Sequence, residues 1–241
     1  MSNTERYPTD PDHTPSDPTD PNGTGRDGTD RYVGFPEGFF GRIDEGNDAS
    51  FYVQPRLLTH IDEGAIAAVS ALYGELGVNG RVLDVCSSWI SHLPTRPATL
   101  TVLGMNAAEL AANELAHEAV VHDLNEDPRL PFASASFDAA LCTVSVDYLT
   151  RPIQVFDEVA RVLVAGGYFA CTFSNRCFPT KAIRGWLASD DSFHLQLVAE
   201  YFRRSVGWDP PQLAHRNPGA NGDPLYAVWA RRSGSVTAPP E

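Results

Sequence analysis

Apolar residues along this chain fall into short continuous runs, with longer helical stripes between them. Arg81-Val82-Leu83-Asp84-Val85 is apolar at nearly every position and rich in β-branched side chains, the pattern of a strand buried on both faces. Similar runs predict strands over residues 98–103, 119–122, 137–144, 168–173 and 224–231. Between them, the spacing predicts helices over 55–76, 107–117, 152–164, 180–188 and 192–205. The first carries the stripe Leu58, Ile61, Ala65, Val69, Leu72 and Leu76, widened by Leu57 and Ile66, and Pro55 suits its first turn. In the helix over 152–164, Val155, Phe156, Val159 and Leu163 share one face. Ala165-Gly166-Gly167 reads as a tight turn into the strand that follows. Strands alternating with helices imply an α/β fold: a Rossmann-like, doubly wound, mostly parallel sheet with helices on both faces.

The flanks read differently. Residues 1–31 repeat Pro, Asp, Thr and Gly, with too little apolar surface to offset ordering entropy, and are expected to be a disordered acidic tail. Residues 235–241 are expected to be a flexible C-terminus, leaving 32–234 as a single domain. Phe35, Phe39, Phe40, Phe51 and Tyr52, separated by Gly and Asp, suggest an irregular segment packed on that domain.

Charge narrows the partners. The 241 residues carry 18 basic and 31 acidic side chains, a formal net charge of -13. Such a surface repels nucleic acid and anionic membranes, so neither is expected as a partner. Lys181 is the only lysine, and acid-rich, lysine-poor composition resembles that of halophilic proteins. No apolar run reaches the roughly 18 residues of a membrane span, and a cytoplasmic location is expected. Cys86, Cys142, Cys171 and Cys177 form no C-x-x-C pair, so no zinc or other metal site is expected.

The candidate chemistry follows the first strand. Asp84 ends an apolar run that passes straight into the small residues Cys86, Ser87 and Ser88. A strand entering a small-residue turn is where open α/β folds bring backbone amides close to a nucleotide. Four stretches, spanning about residues 81–174, carry a wider likeness. They are Val82-Leu83-Asp84-Val85; Leu103-Gly104-Met105-Asn106; His122-Asp123-Leu124-Asn125 with Leu130-Pro131-Phe132 and Phe137-Asp138; and Val162-Leu163 through Gly166-Gly167-Tyr168-Phe169. Their order resembles class I S-adenosylmethionine-dependent methyltransferases of the type-11 kind.

The resemblance implies S-adenosylmethionine as the cofactor and suggests roles; the acidic surface, with no nucleic-acid patch, points to a small molecule as the acceptor. Asp84 would orient the methionine amino group, and Cys86, Ser87 and Ser88 would line the methionine end. Asn106 would meet the ribose, with Glu109 competing for that role. Asp123 and Leu124 would meet adenine. Ser145 and Asp147 follow the fourth strand, where ligands of open sheets sit; Asp147 could take a proton from the acceptor. His60, His92 and Arg56 could approach the site, Arg56 with a fork that suits the cofactor's carboxylate. Asn175, Arg176, Cys177 and Lys181 could form part of an acceptor site. Each has a plainer structural reading as a cap, a turn or a packed residue. Asn106 and Glu109, for example, have capping-box spacing that needs no ligand.

The chain departs from the family pattern at the glycine loop, where Cys86, Ser88 and Ile90 stand, and at Asn106, which replaces an acid. Glycine permits positive φ and close approach of a ligand. Two functions follow: a methyltransferase, or a catalytically inactive Rossmann-like binding or interaction module. A pocket filled by Trp89 or Ile90 would favour the second. A nicotinamide dehydrogenase is weaker, because the G-x-G-x-x-G fingerprint is missing. The sequence is silent on the acceptor atom and on oligomeric state.

Overall fold

A computed structural model describes residues 31–219 and 221–234; the expected tails over 1–31 and 235–241 lie, but for Arg31, outside the described residues. Seven strands form one sheet: β1 (Arg81–Val85), β2 (Thr99–Gly104), β3 (Glu118–Val121), β4 (Phe137–Thr143), β5 (Leu163–Phe173), β6 (Gln212–His215) and β7 (Tyr226–Arg231). Their order is β3-β2-β1-β4-β5-β7-β6. The first five run parallel, and β7 is antiparallel to both β5 and β6. The chain reverses direction across the sheet between β1 and β4, so a crevice opens beyond their carboxyl ends.

Helices α1 (Asp48–Phe51), α2 (Glu63–Glu75), α3 (Ala107–Ala111), α4 (Pro152–Val162), α5 (Arg184–Leu187) and α6 (Asp191–Arg204) complete the domain. On one face Val69, Leu72 and Tyr73 of α2 pack with Val82, Leu100 and Leu141 of the sheet. On the other, Val155, Phe156 and Val159 of α4 pack with Tyr201 and Phe202 of α6 over Phe169 and Cys171. With both faces covered, the central strands are buried at nearly every position, which explains their continuous apolar runs. The expected α/β fold class is the fold observed.

Three elements differ from expectation. Helix α2 begins at Glu63, where the Asp62 carboxylate accepts from the Ala65 amide, and residues 55–62 are irregular. Leu57 and Leu58 are consequently exposed and do not extend the helix stripe. Helix α3 stops at Ala111, short of the expected 117. The glycine pair 166–167 is no turn between elements. It lies inside β5, where the register against β4 jumps from Phe137↔Leu163 to Ala139↔Tyr168. Gly166 takes φ +78° there, and a Cβ on Gly167 would meet the Asp138 carbonyl oxygen at 2.8 Å. Strand β6 and the short α1 were not expected.

The N-terminal segment folds back over the sheet as a strap. Arg42 bridges to Ile183, and backbone hydrogen bonds join Asp44 to Thr180 and Gly41 to Arg184.

Candidate active site

A cavity of about 510 Å³ opens beyond the carboxyl ends of β1, β2 and β4, at the point where strand order reverses. All eight residues expected to bind a cofactor line it: Asp84, Cys86, Ser87, Ser88, Asn106, Asp123, Leu124 and Ser145. Asp147 does not.

Asp84 lies at its floor, 2% exposed, at the end of β1. Ser87 donates to Oδ2 at 2.8 Å, while Oδ1 is buried with no partner. Burial pushes this carboxyl up to about 6, with the Ser91 and Ser87 hydroxyls opposing the shift. A buried acceptor facing a cavity with one oxygen unused calls for a donor, best a cationic one.

The loop after β1 achieves without glycine what glycine would permit. Cys86 adopts φ +53°. His92 at φ +51° and Val144 at φ +46° line the same cavity. Four non-glycine residues take positive φ among the described residues, and three of them gather here. Left-handed backbone is costly for a β-branched residue such as Val144, and such strain collects where ligands bind. The Ser87 amide bonds to the Leu103 carbonyl at 2.8 Å, seating the loop on the end of β2.

Both seryl hydroxyls are engaged by acids. Ser87 donates to Asp84, and Ser88 donates to Glu109 Oε2 at 2.6 Å. Asn106 is likewise committed. Its Oδ1 caps α3 at the Ala108 and Glu109 amides, and its Nδ2 clamps the Tyr52 and Val53 carbonyls. The acid that follows β2 into the cavity is therefore Glu109, on α3, which accepts from the Arg56 amide at 2.7 Å. Asp123 Oδ1 caps the turn after β3 through the Asn125 and Glu126 amides. Leu124 is buried beside it, and the Ser145 hydroxyl stitches the Thr143 and Cys86 carbonyls.

Asp147 sits on a single 3-10 turn after β4, 3% exposed, with Oδ2 unpartnered. Burial raises its carboxyl to about 8. Of the expected acceptor-side residues, Asn175, Arg176 and Cys177 line the cavity, as do His60, His92 and Arg56. Burial and the nearby Asp147 carboxylate raise the Cys177 thiol, so it is no ready nucleophile. Lys181 is buried instead in an ion cluster with Asp44 and Asp48. Trp89 and Ile90 line the cavity without filling it; the Trp89 ring nitrogen donates to the Leu58 carbonyl at the rim.

Sequence reasoning missed Asp48 and Tyr52, which reach the cavity from the strap. The Phe51-Tyr52 pair marked a packed segment, but nothing local says that it lies over the ends of distant strands.

Fold and cavity define a Rossmann-like protein with a nucleotide-type crevice at its switch point. Residues 83–171 match the family model described as a methyltransferase domain. No curated protein matches the chain. Similar solved structures include the [4+2]-cyclase SpnF, at 16% identity and TM-score 0.51, covering 77% of this chain and 91% of that one. A SAM-dependent methyltransferase from Aquifex aeolicus shares 13% identity at TM-score 0.50, covering 76% and 96%. A phosphoethanolamine N-methyltransferase 2 from Haemonchus contortus, in complex with phosphomonomethylethanolamine and S-adenosylhomocysteine, shares 10% at TM-score 0.51, covering 78% and 57%. At these identities the likeness is one of fold. No helix among the described residues is long and apolar enough to cross a membrane.

Proposed function

We propose that this protein is an S-adenosylmethionine-dependent methyltransferase acting on a small-molecule acceptor in the cytoplasm, by way of the cavity over β1 and β4. The observation that carries this reading is the unused, buried Oδ1 of Asp84 at the cavity floor. The residues present fit the cofactor. Asp84 would take its amino group. Glu109, three positions beyond Asn106, would accept from the ribose hydroxyls with the lone pairs its present partners leave. Leu124 and Asp123 would flank adenine. When bound, the cofactor supplies a sulfonium methyl group that needs little further activation. The chain's part is then to orient an acceptor and to exclude water, which Tyr52, Phe178 and Trp89 around the opening can do. This arrangement needs no catalytic triad.

The open cavity weighs against an inactive module, since neither Trp89 nor Ile90 fills it. The acidic, lysine-poor composition supports a halophilic habit and disfavours nucleic acid as the acceptor.

The test is calorimetric titration with S-adenosylmethionine, in low salt and in molar potassium chloride. Saturable binding with competition by S-adenosylhomocysteine is expected. Asp84→Ala should weaken it roughly 10- to 100-fold, the range for losing a charge-assisted hydrogen bond, while Cys177→Ala changes little. Equal affinity in wild type and Asp84→Ala would remove the basis for the reading, and no binding by a folded protein would end it.

A further inference from the structure

Ten large apolar side chains are exposed among the described residues, and two of them line the mouth of the cavity: Leu58, 68% exposed, and Ile90, 36% exposed. The half-buried Trp89 lies beside them. Two more, Val53 and Leu57, 62% and 52% exposed, belong to the same irregular stretch as Leu58. Four hydrogen bonds seat that stretch on the cavity. Asn106 Nδ2 donates to the Tyr52 and Val53 carbonyls, Glu109 accepts from the Arg56 amide, and Trp89 Nε1 donates to the Leu58 carbonyl at 3.2 Å. The rim is thus held in place. A single exposed leucine needs no explanation, but several together beside a cavity, on a chain of net charge -13, mark a binding surface.

The cofactor does not account for this rim. Its amino group, ribose and adenine would be met deeper in the cavity, by Asp84, Glu109, and Asp123 with Leu124. A sulfonium cation and a zwitterionic methionine end gain nothing from aliphatic side chains, which offer them neither hydrogen bonds nor charge. A protein partner is too large an occupant, since a stable interface takes roughly 20–30 residues a side and the rim offers a handful. An anionic lipid surface is repelled by the net charge. The rim is continuous with the cavity, so its occupant is a small molecule that enters the cavity and leaves an apolar portion outside.

We propose that the acceptor is an uncharged amphiphile with a flexible aliphatic chain, its reacting head inside the cavity and its chain across Leu58, Leu57 and Ile90, on the flat support of the Trp89 indole. The word acceptor rests on the methyltransferase reading; the apolar subsite does not. Each methylene withdrawn from water onto the rim adds its own increment, so affinity should rise with chain length until the rim is covered.

Hexanol, octanol and decanol would be titrated by calorimetry into the full chain, with and without saturating S-adenosylhomocysteine. Affinity is expected to rise about two- to fourfold per methylene, the range for a methylene half to fully withdrawn from water. Leu57→Ser combined with Leu58→Ser should remove most of that rise and leave S-adenosylhomocysteine affinity unchanged. Val206→Ser, at a residue 59% exposed and outside the cavity, should keep the rise. Melting curves verify folding; should the double variant not fold, Leu58→Ser alone carries the comparison. Equal affinity for the three alcohols would overturn the proposal. So would a rise that survives the loss of both leucines, or one that Val206→Ser removes as well. Cosedimentation with phosphatidylcholine vesicles that depends on the two leucines, without a rise across the alcohols, would overturn it in favour of a lipid surface. If S-adenosylhomocysteine fails to bind while the rise and its dependence on the two leucines persist, the methyltransferase reading falls and the apolar subsite stands. If S-adenosylhomocysteine binds and the alcohols are not discriminated, the reverse holds.

Discussion

A carboxyl that is 3% exposed, with one oxygen unpartnered, opposes its own ionisation, and Asp147 is in that position. Its folded value is pushed up to about 8 by burial, while an unfolded aspartate titrates near 3.9. Between these values the folded chain holds a proton that the unfolded chain has released. Stability is therefore lost as pH rises through this window and levels off above it. Asp147→Asn removes the titration but keeps the shape. Its stability advantage over wild type should grow by about 1.4 kcal/mol per pH unit between about pH 4 and pH 8, read by urea denaturation at several pH values. A difference that stays flat with pH would mean that Asp147 is ionised and satisfied in the fold. Asp84 titrates in both proteins and cancels. Single residues were the least legible part of the chain. Asp84 and its loop could be located because the buried strand and the turn adjoin in sequence. That Asn106 is consumed by Tyr52 and Val53, fifty residues away, left no local trace, so Glu109 was ranked below it.

The contact between the loop after β1 and the end of β2 is a matter of elements meeting, and one glycine controls it. A Cβ on Gly104 would sit 2.1 Å from the Ser87 carbonyl oxygen, a backbone atom that cannot step aside without moving the loop. Gly104→Ala should cost about 1–3 kcal/mol by overpacking and weaken S-adenosylhomocysteine binding tenfold or more. Gly234→Ala, with nothing within 4 Å, serves as the control and should leave both unchanged. Normal binding by Gly104→Ala would show that the loop can shift without consequence for the ligand. Elements were largely readable because both sheet faces are covered, which makes each central strand an unbroken apolar run. The reading failed where apolar residues serve the rim instead of the core. Leu57 and Leu58 continue the α2 stripe in sequence, yet both are exposed, Leu58 on the cavity wall, since Asp62 caps the helix later. The glycines 166–167 misled for a related reason: a bulge inside a strand uses the same residues as a turn between elements.

At the scale of the whole molecule, the strap is held over the cavity by one buried ion cluster joining three distant parts of the chain. Asp48, 5% exposed, accepts from Arg42 at 2.7 Å and 2.8 Å, pairs with Lys181 at 3.0 Å, and accepts from Asn125 at 3.0 Å. Lys181, 1% exposed, also reaches Asp44 at 3.0 Å and the Gly46 carbonyl at 2.8 Å. Burial alone would raise the Asp48 carboxyl, but hydrogen bonds from Arg42, Asn125 and Lys181 overcome it and hold the group below the usual carboxylate range. The only lysine in the sequence is thus spent inside the protein, and its isolation among 31 acids was a compositional oddity without an address. Replacing it leaves Asp48 with one cation fewer in a site closed to water. Lys181→Met should cost about 3–5 kcal/mol, the range for breaking a buried pair by removing one partner. The loss should not be uniform. Amide exchange should quicken first across residues 42–52, while β1 and β4 keep their protection, because the cluster is the largest of the strap's ties, the others being the Asn106 clamp on Tyr52 and Val53, the Phe51–Phe178 contact and a few backbone bonds. Since Asp48 and Tyr52 line the cavity, ligand affinity should fall together with strap protection. Exchange that quickens equally in strap and sheet would mean that the cluster stabilises the domain as a whole, with no special hold on the cover of its site.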